Sequence, residues 1–128
     1  MPGDNLFEYA VIRIVPRVER EEFINVGVIL FCKKQGYLGF LYQVDENRLK
    51  ALSAELDIDE IKEHLAAFEQ IALGSAEGGP IGQLDTASRF RWLTATRSTV
   101  VQASKVHPGL CSGNLDERLK KLFEQLVM

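Results

Sequence analysis

Arginine and hydroxyl side chains make the first grouping in this chain able to do chemistry. Arg17 and Arg20 stand in one stretch, and Arg89, Arg97, Ser98 and Thr99 in another. A guanidinium presents a planar fork of donors that matches a carboxylate or a phosphate, and neighbouring hydroxyls add neutral donors. Asn25 and His107 complete this candidate ligand- or partner-binding set. We expect Arg20 and Arg97, each ahead of a strand, to approach one another, with Asn25 or His107 nearby. An anion between them would make the cluster a ligand site, whereas Glu22 between them would make it structural. The plainer reading, which carries more weight, is of solvated arginines paired with Glu19, Glu21 and Glu22, since exposed ion pairs contribute little. Arg13 differs from the rest because it lies among apolar neighbours. If its face is buried it needs a partner, because an unpaired buried charge is costly.

Other chemistries are less well supported by spacing. His107 and Cys111 lie four apart, and an imidazole can activate a thiol. Pro108-Gly109 between them favours a loop histidine and a small buried cysteine instead. Adding Cys32 and His64 supplies metal-ligand types without the paired short spacing of a zinc site, so no metal is assigned. Glu19, Glu21 and Glu22 read as a solvated loop. The chain has no G-x-x-x-x-G-K-[ST], G-x-G-x-x-G or G-x-S-x-G. Catalytic residues are therefore left unassigned, no cofactor is expected, and the question of enzyme or not stays open.

The elements that must position these groups follow from periodicity. Residues 7–15 alternate as a strand, with Ala10, Ile12 and Ile14 on one side and Tyr9, Val11, Arg13 and Val15 on the other. Residues 23–32 are apolar on both faces, which predicts an internal strand, with Val26, Val28 and Leu30 on one face and Ile29 and Phe31 on the other. Lys33–Gly36 closes a hairpin into a third strand over residues 37–44. Helices are predicted over 45–56 and 57–73. The second has Asp57 and Glu60 as a capping box, the stripe Ile61, Leu65, Phe68 and Ala72, and Gly74 as its C-terminal cap. Residues 75–80 read as a loop, and 82–96 suit either a short helix or irregular structure. Residues 98–104 suggest a fourth strand. His107-Pro108-Gly109-Leu110 has the form of a type II turn. Asn114 and Glu117 cap a final amphipathic helix. The expected fold is a single α+β domain over residues 1–128: a mostly antiparallel four-stranded sheet, made of a β-meander and a later strand, with helices packed over one face.

Composition narrows the function classes. The 128 residues are 46% hydrophobic and 26% charged, values of an ordinary globular protein rather than a disordered or collagenous one. Fifteen basic against eighteen acidic residues make a nucleic-acid partner an unfavoured expectation. The longest apolar run, residues 26–32, falls far short of the ~20 residues of a membrane span. The first residues lack a signal peptide's pattern, and two distant cysteines suit a reducing compartment, so the expected localisation is cytoplasmic without membrane association. Residues 51–79 carry seven acids against Lys62, whereas 80–113 carry Arg89, Arg91, Arg97 and Lys105 against Asp85. Such asymmetry bears on partners.

Two blocks of residues carry a family likeness. One is Tyr9-Ala10-Val11-Ile12-Arg13-Ile14-Val15-Pro16 followed by Glu19-Arg20-Glu21-Glu22-Phe23-Ile24-Asn25-Val26-Gly27-Val28-Ile29-Leu30. The other is Arg89-Phe90-Arg91-Trp92-Leu93, then Arg97-Ser98-Thr99-Val100-Val101-Gln102 and Val106-His107-Pro108-Gly109-Leu110. Together they resemble DUF3037, a bacterial family of unknown function, over nearly the whole chain. The resemblance implies a small stand-alone protein and points to a kinase-like protein of the toxin-kinase type as a partner. It brings no catalytic residue or cofactor. The leading expectation is a non-catalytic accessory or protein-interaction module that acts through a partner protein or self-association. The alternative is a small anion-binding protein or enzyme acting on a phosphorylated or nucleotide ligand through the arginine-hydroxyl cluster.

Overall fold

A computed structural model describes residues 4–97 and 99–128. In chain order the elements are β1 (Asn5–Ile14), β2 (Ile24–Cys32), β3 (Tyr37–Tyr42), α1 (Glu46–Leu52), α2 (Ile58–Leu73), α3 (Gly79–Gly82), α4 (Thr86–Leu93), β4 (Val101–Ala103), β5 (His107–Cys111) and α5 (Leu115–Leu126). Short 3₁₀ turns occupy Val18–Arg20 and Ala76–Gly78, so the expected loop at 75–80 is a turn running directly into α3. The α+β class and the antiparallel meander stand. Helix entries follow local chemistry. Asp57 accepts a hydrogen bond from the Glu60 amide at 3.1 Å, and Asn114 accepts one from the Glu117 amide at 3.1 Å. Gly74 closes α2 in the left-handed conformation, φ 70°.

The sheet runs β3-β2-β1-β4, and β2 is internal, as its two-sided apolarity requires. The long strand β1 serves two strands on its other edge: β4 opposite Ile12–Ile14, and β5 opposite Asn5–Tyr9. The fifth strand corrects the expected turn at residues 107–110. Pro108 lacks a ladder donor, but an edge strand needs donors on one side only. A Cβ on Gly109 would collide with the ring of Phe7, its neighbour's side chain in the cross-strand pair, so glycine is what allows that ring to lie over the strand.

One irregularity interrupts the β1–β2 ladder. Ile12 faces Gly27, but Arg13 faces Asn25, so Val26 is the extra residue of a β-bulge. The bulge turns Val26 to the side of Ile29 and Phe31, which corrects the expectation that it would share a face with Val28 and Leu30.

Both sheet faces are covered. On one, Ala10, Ile12 and Ile14 of β1 and Ile29 and Phe31 of β2 pack beneath Leu49 of α1, Leu65 and Phe68 of α2, and Phe90 and Leu93 of α4. On the other, Phe7, Val28, Leu30 and Cys32 pack beneath Leu115 and Leu119 of α5 and the following Val127. The first helices thus lie over one face, and α5 lies over the opposite one. Burying both sides of β2 requires the second cover.

Candidate functional site

A surface cleft gathers at the C-terminal end of β1. This cleft of about 280 Å³ opens between the chain leaving β1, the α1–α2 connection, the first turns of α2 and the entry to β4. Pro16, Leu56, Ile61, Val100 and Val101 provide its apolar lining. Arg17, Ser53, Glu55, Asp57, Glu60 and His64 provide its polar groups. A second cleft of about 290 Å³ shares Pro16, Arg17, Ser53 and Glu55 and adds Arg20 and Glu22, so the two form one continuous groove.

The groove's charges are largely matched from within the chain. Arg17 Nη2 stands 3.9 Å from Glu55, and Arg20 Nε pairs with the Glu22 carboxylate. Asp57 is engaged in capping α2. His64 meets the Phe68 ring edge-on at 5.2 Å. Burial, then the positive charge of Arg97, holds the His64 imidazole below its ordinary 6.5, with Glu60 opposing. His64 therefore meets the groove as a neutral ring near pH 7. Its position was legible in the sequence, because it falls three residues after Ile61 and four before Phe68 on the flank of the α2 stripe.

The arginines of the second block serve helix ends. Arg89 Nη1 donates to the carbonyls of Ile71 (3.0 Å) and Ala72 (2.8 Å) at the end of α2, Nε to Leu84 O (3.0 Å), and Nη2 to Thr86 Oγ1 (3.3 Å). Arg97 Nη1 donates to Leu93 O (3.1 Å) and Nη2 to Trp92 O, which caps α4. The Arg97 guanidinium also lies over the rings of Trp92 and Phe68, 4.4 and 5.3 Å from their centroids. Arg20 and Arg97 thus have separate partners, and no hydrogen bond or ion pair connects them among the described residues. Thr99 Oγ1 donates to Val101 O at 2.8 Å, and Ser98 lies outside the described residues. His107 is exposed on β5, opposite Tyr9, with the ring centroids 5.3 Å apart.

Asn25 and Arg13 form a second neighbourhood. They face each other across β1 and β2, and Gln102 of β4 faces Arg13 from the other side. Asn25 Nδ2 donates to Leu126 O at 3.0 Å, tying β2 to the end of α5. The Arg13 guanidinium lies 4.0 Å from the Phe23 ring centroid. Burial lowers its pKa, although an arginine stays charged throughout the ordinary pH range. Among the described residues, no three His, Cys, Asp or Glu side chains gather as metal ligands would, and no helix is long and apolar enough to cross a membrane.

An open antiparallel sheet covered on both faces, with a mixed apolar and charged groove at one end of its longest strand, places the molecule among small α+β proteins with a surface cleft. The chain belongs to the family described as "Protein of unknown function (DUF3037)", whose family model matches residues 9–127. No curated protein and no solved structure matches it.

Proposed function

We propose that this chain is a non-catalytic accessory module that docks a partner protein in the groove at the C-terminal end of β1. The observation behind this reading is the groove's make-up: an apolar lining of Pro16, Leu56, Ile61, Val100 and Val101, with arginines already matched by Glu22 and Glu55. Apolar side chains mixed with internally paired charges are found in the surfaces that proteins use to dock one another. Val18 adds exposed apolar surface beside it, and Val100 in the lining is itself partly exposed. The alternative anion site built on Arg17, Arg20, Arg89 and Arg97 is disfavoured, because each of these guanidinium groups already has an internal partner. A kinase-like protein, or another copy of the chain, would be read out by the same experiment. Tagged native protein and Val100→Arg are used to capture partners from the cells of origin. One protein should be retained by the native chain and lost from the variant, with both melting alike, while any effect of phosphate or nucleotides on the melting temperature is the same in Arg17→Ala as in the native protein. Equal capture by both, or stabilisation by a nucleotide that Arg17→Ala abolishes, would reverse the reading.

A further inference from the structure

Arg13 is an arginine without a hydrogen-bond or ion-pair partner among the described residues, and the one whose Nε is buried. It sits within β1, where the bulge at Val26 brings Asn25, rather than an apolar side chain, opposite it. Bulges commonly serve to re-aim a side chain in this way. With Gln102 on the other side, three long polar groups cross the sheet in a row on one face. Phe23 braces the guanidinium from 4.0 Å. Arg13 Nε is buried without a hydrogen-bond partner, and so is Asn25 Oδ1; these are the two such side-chain atoms among the described residues. In a well-formed protein each orphan of this kind calls for an explanation. No hydrogen bond or ion pair reaches Arg13 among the described residues, although the chain carries eighteen acidic side chains. The two Nη groups are not among the buried orphans, so they keep some solvent-accessible surface.

The flanking carboxamides suit the same task. Asn25 Nδ2 spends one N–H on Leu126 O, and Gln102 Nε2 spends one on Thr99 O at 2.8 Å, which leaves a second N–H on each. Directly opposed residues on neighbouring strands stand about 4.5–5.5 Å apart, within reach of a common ligand. A guanidinium braced 4.0 Å from an aromatic ring centroid keeps its fork of donors for two oxygens arriving end-on. We infer that Arg13, braced on Phe23 and flanked by Asn25 and Gln102, is a receptor for an oxyanion, a carboxylate or phosphate group whose two oxygens meet the two Nη groups. This site is separate from the α2 groove and holds whether or not the groove docks a partner.

The test uses the full chain labelled with nitrogen-15, following the Arg13 Nε–H and the Asn25 and Gln102 side-chain amides by NMR. Inorganic phosphate and acetate are titrated separately at ionic strength matched with chloride. The expected result is a saturable shift of all three signals with one of the two anions and none with chloride. Tighter binding of phosphate assigns a phosphorylated ligand, and tighter binding of acetate assigns a partner's carboxylate. Arg13→Lys, which keeps the charge and loses the fork, should weaken binding by about tenfold or more, equivalent to 1.4 kcal/mol. Phe23→Leu, which removes the brace from an exposed position, should weaken it less, with melting unchanged. Shifts that never saturate, or that chloride reproduces, would overturn the proposal and leave Arg13 a structural residue whose buried Nε is met by water.

Discussion

Arg89 shows how a side chain chosen for its binding chemistry can be consumed by the fold. Its donors reach two carbonyls at the end of α2, one before α4 and a threonine hydroxyl, four acceptors that no lysine could meet together. Arg89→Ala leaves partly buried carbonyls unmatched and should destabilise the protein by about 1–3 kcal/mol in chemical denaturation, with Arg89→Lys recovering little. His64 makes a second prediction at this scale. Its folded-state pKa is depressed by burial and Arg97, so below pH 6.5 the unfolded chain binds the proton first. The His64 contribution is thus complete above the unfolded value and is lost as pH falls from there through the lower folded one. The melting temperature of the native protein should fall more steeply between about pH 7 and 5 than that of His64→Gln. Parallel profiles would show that His64 is not desolvated.

At the scale of elements, α2 divides into a face that holds the fold and a face that does not. Phe68, 2% exposed, contacts the sheet core, His64, Trp92 and Arg97. Glu63 is exposed. Phe68→Ala should cost about 3–5 kcal/mol, whereas Glu63→Ala should stay within about 0.5 kcal/mol, both read by denaturant titration. The strand β5 depends on a different device. The Phe7 ring fills the space a side chain at Gly109 would take, so Gly109→Ala forces the buried ring aside. A loss of about 1–3 kcal/mol is expected, with faster amide exchange along Asn5–Tyr9 and β5. In a type II turn detached from the sheet, the same substitution would leave exchange on β1 unaltered.

For the whole molecule, the decisive feature is that the sheet is buried from both sides. Val28, Leu30, Cys32 and Phe7 are covered by α5 and the residue after it, and Asn25 and Arg48 bind the last carbonyls, Leu126 O at 3.0 Å and Val127 O at 3.4 Å. Removing residues 115–128 would expose that apolar face and break both tethers. Such a truncation should lose its cooperative melting transition and bind a hydrophobic-surface dye. Retention of a sharp transition near the native temperature would show that the sheet needs only its first helical layer.

How much of the fold was legible beforehand depended on the range of the interactions concerned. Strands β1 and β2, the Lys33–Gly36 turn and the capped starts of α2 and α5 are written in neighbouring residues, because alternation, caps and turn dihedrals act within a few positions of one another. That β2 is internal could also be read, since two-sided apolarity needs two covers. The sequence could not show which cover lay on which side, because α5 joins its face through residues more than seventy positions away. His107-Pro108-Gly109-Leu110 has the composition of a turn, and only its pairing with β1 makes it a strand. The candidate site divided in the same way. The chain alone marked its arginines and their suitability for oxyanions. Tertiary structure assigned Arg89 and Arg97 to helix ends and Arg20 to Glu22, and left Arg13 unmatched, because a guanidinium's partner is set by whichever acceptor the folded backbone brings within hydrogen-bonding distance.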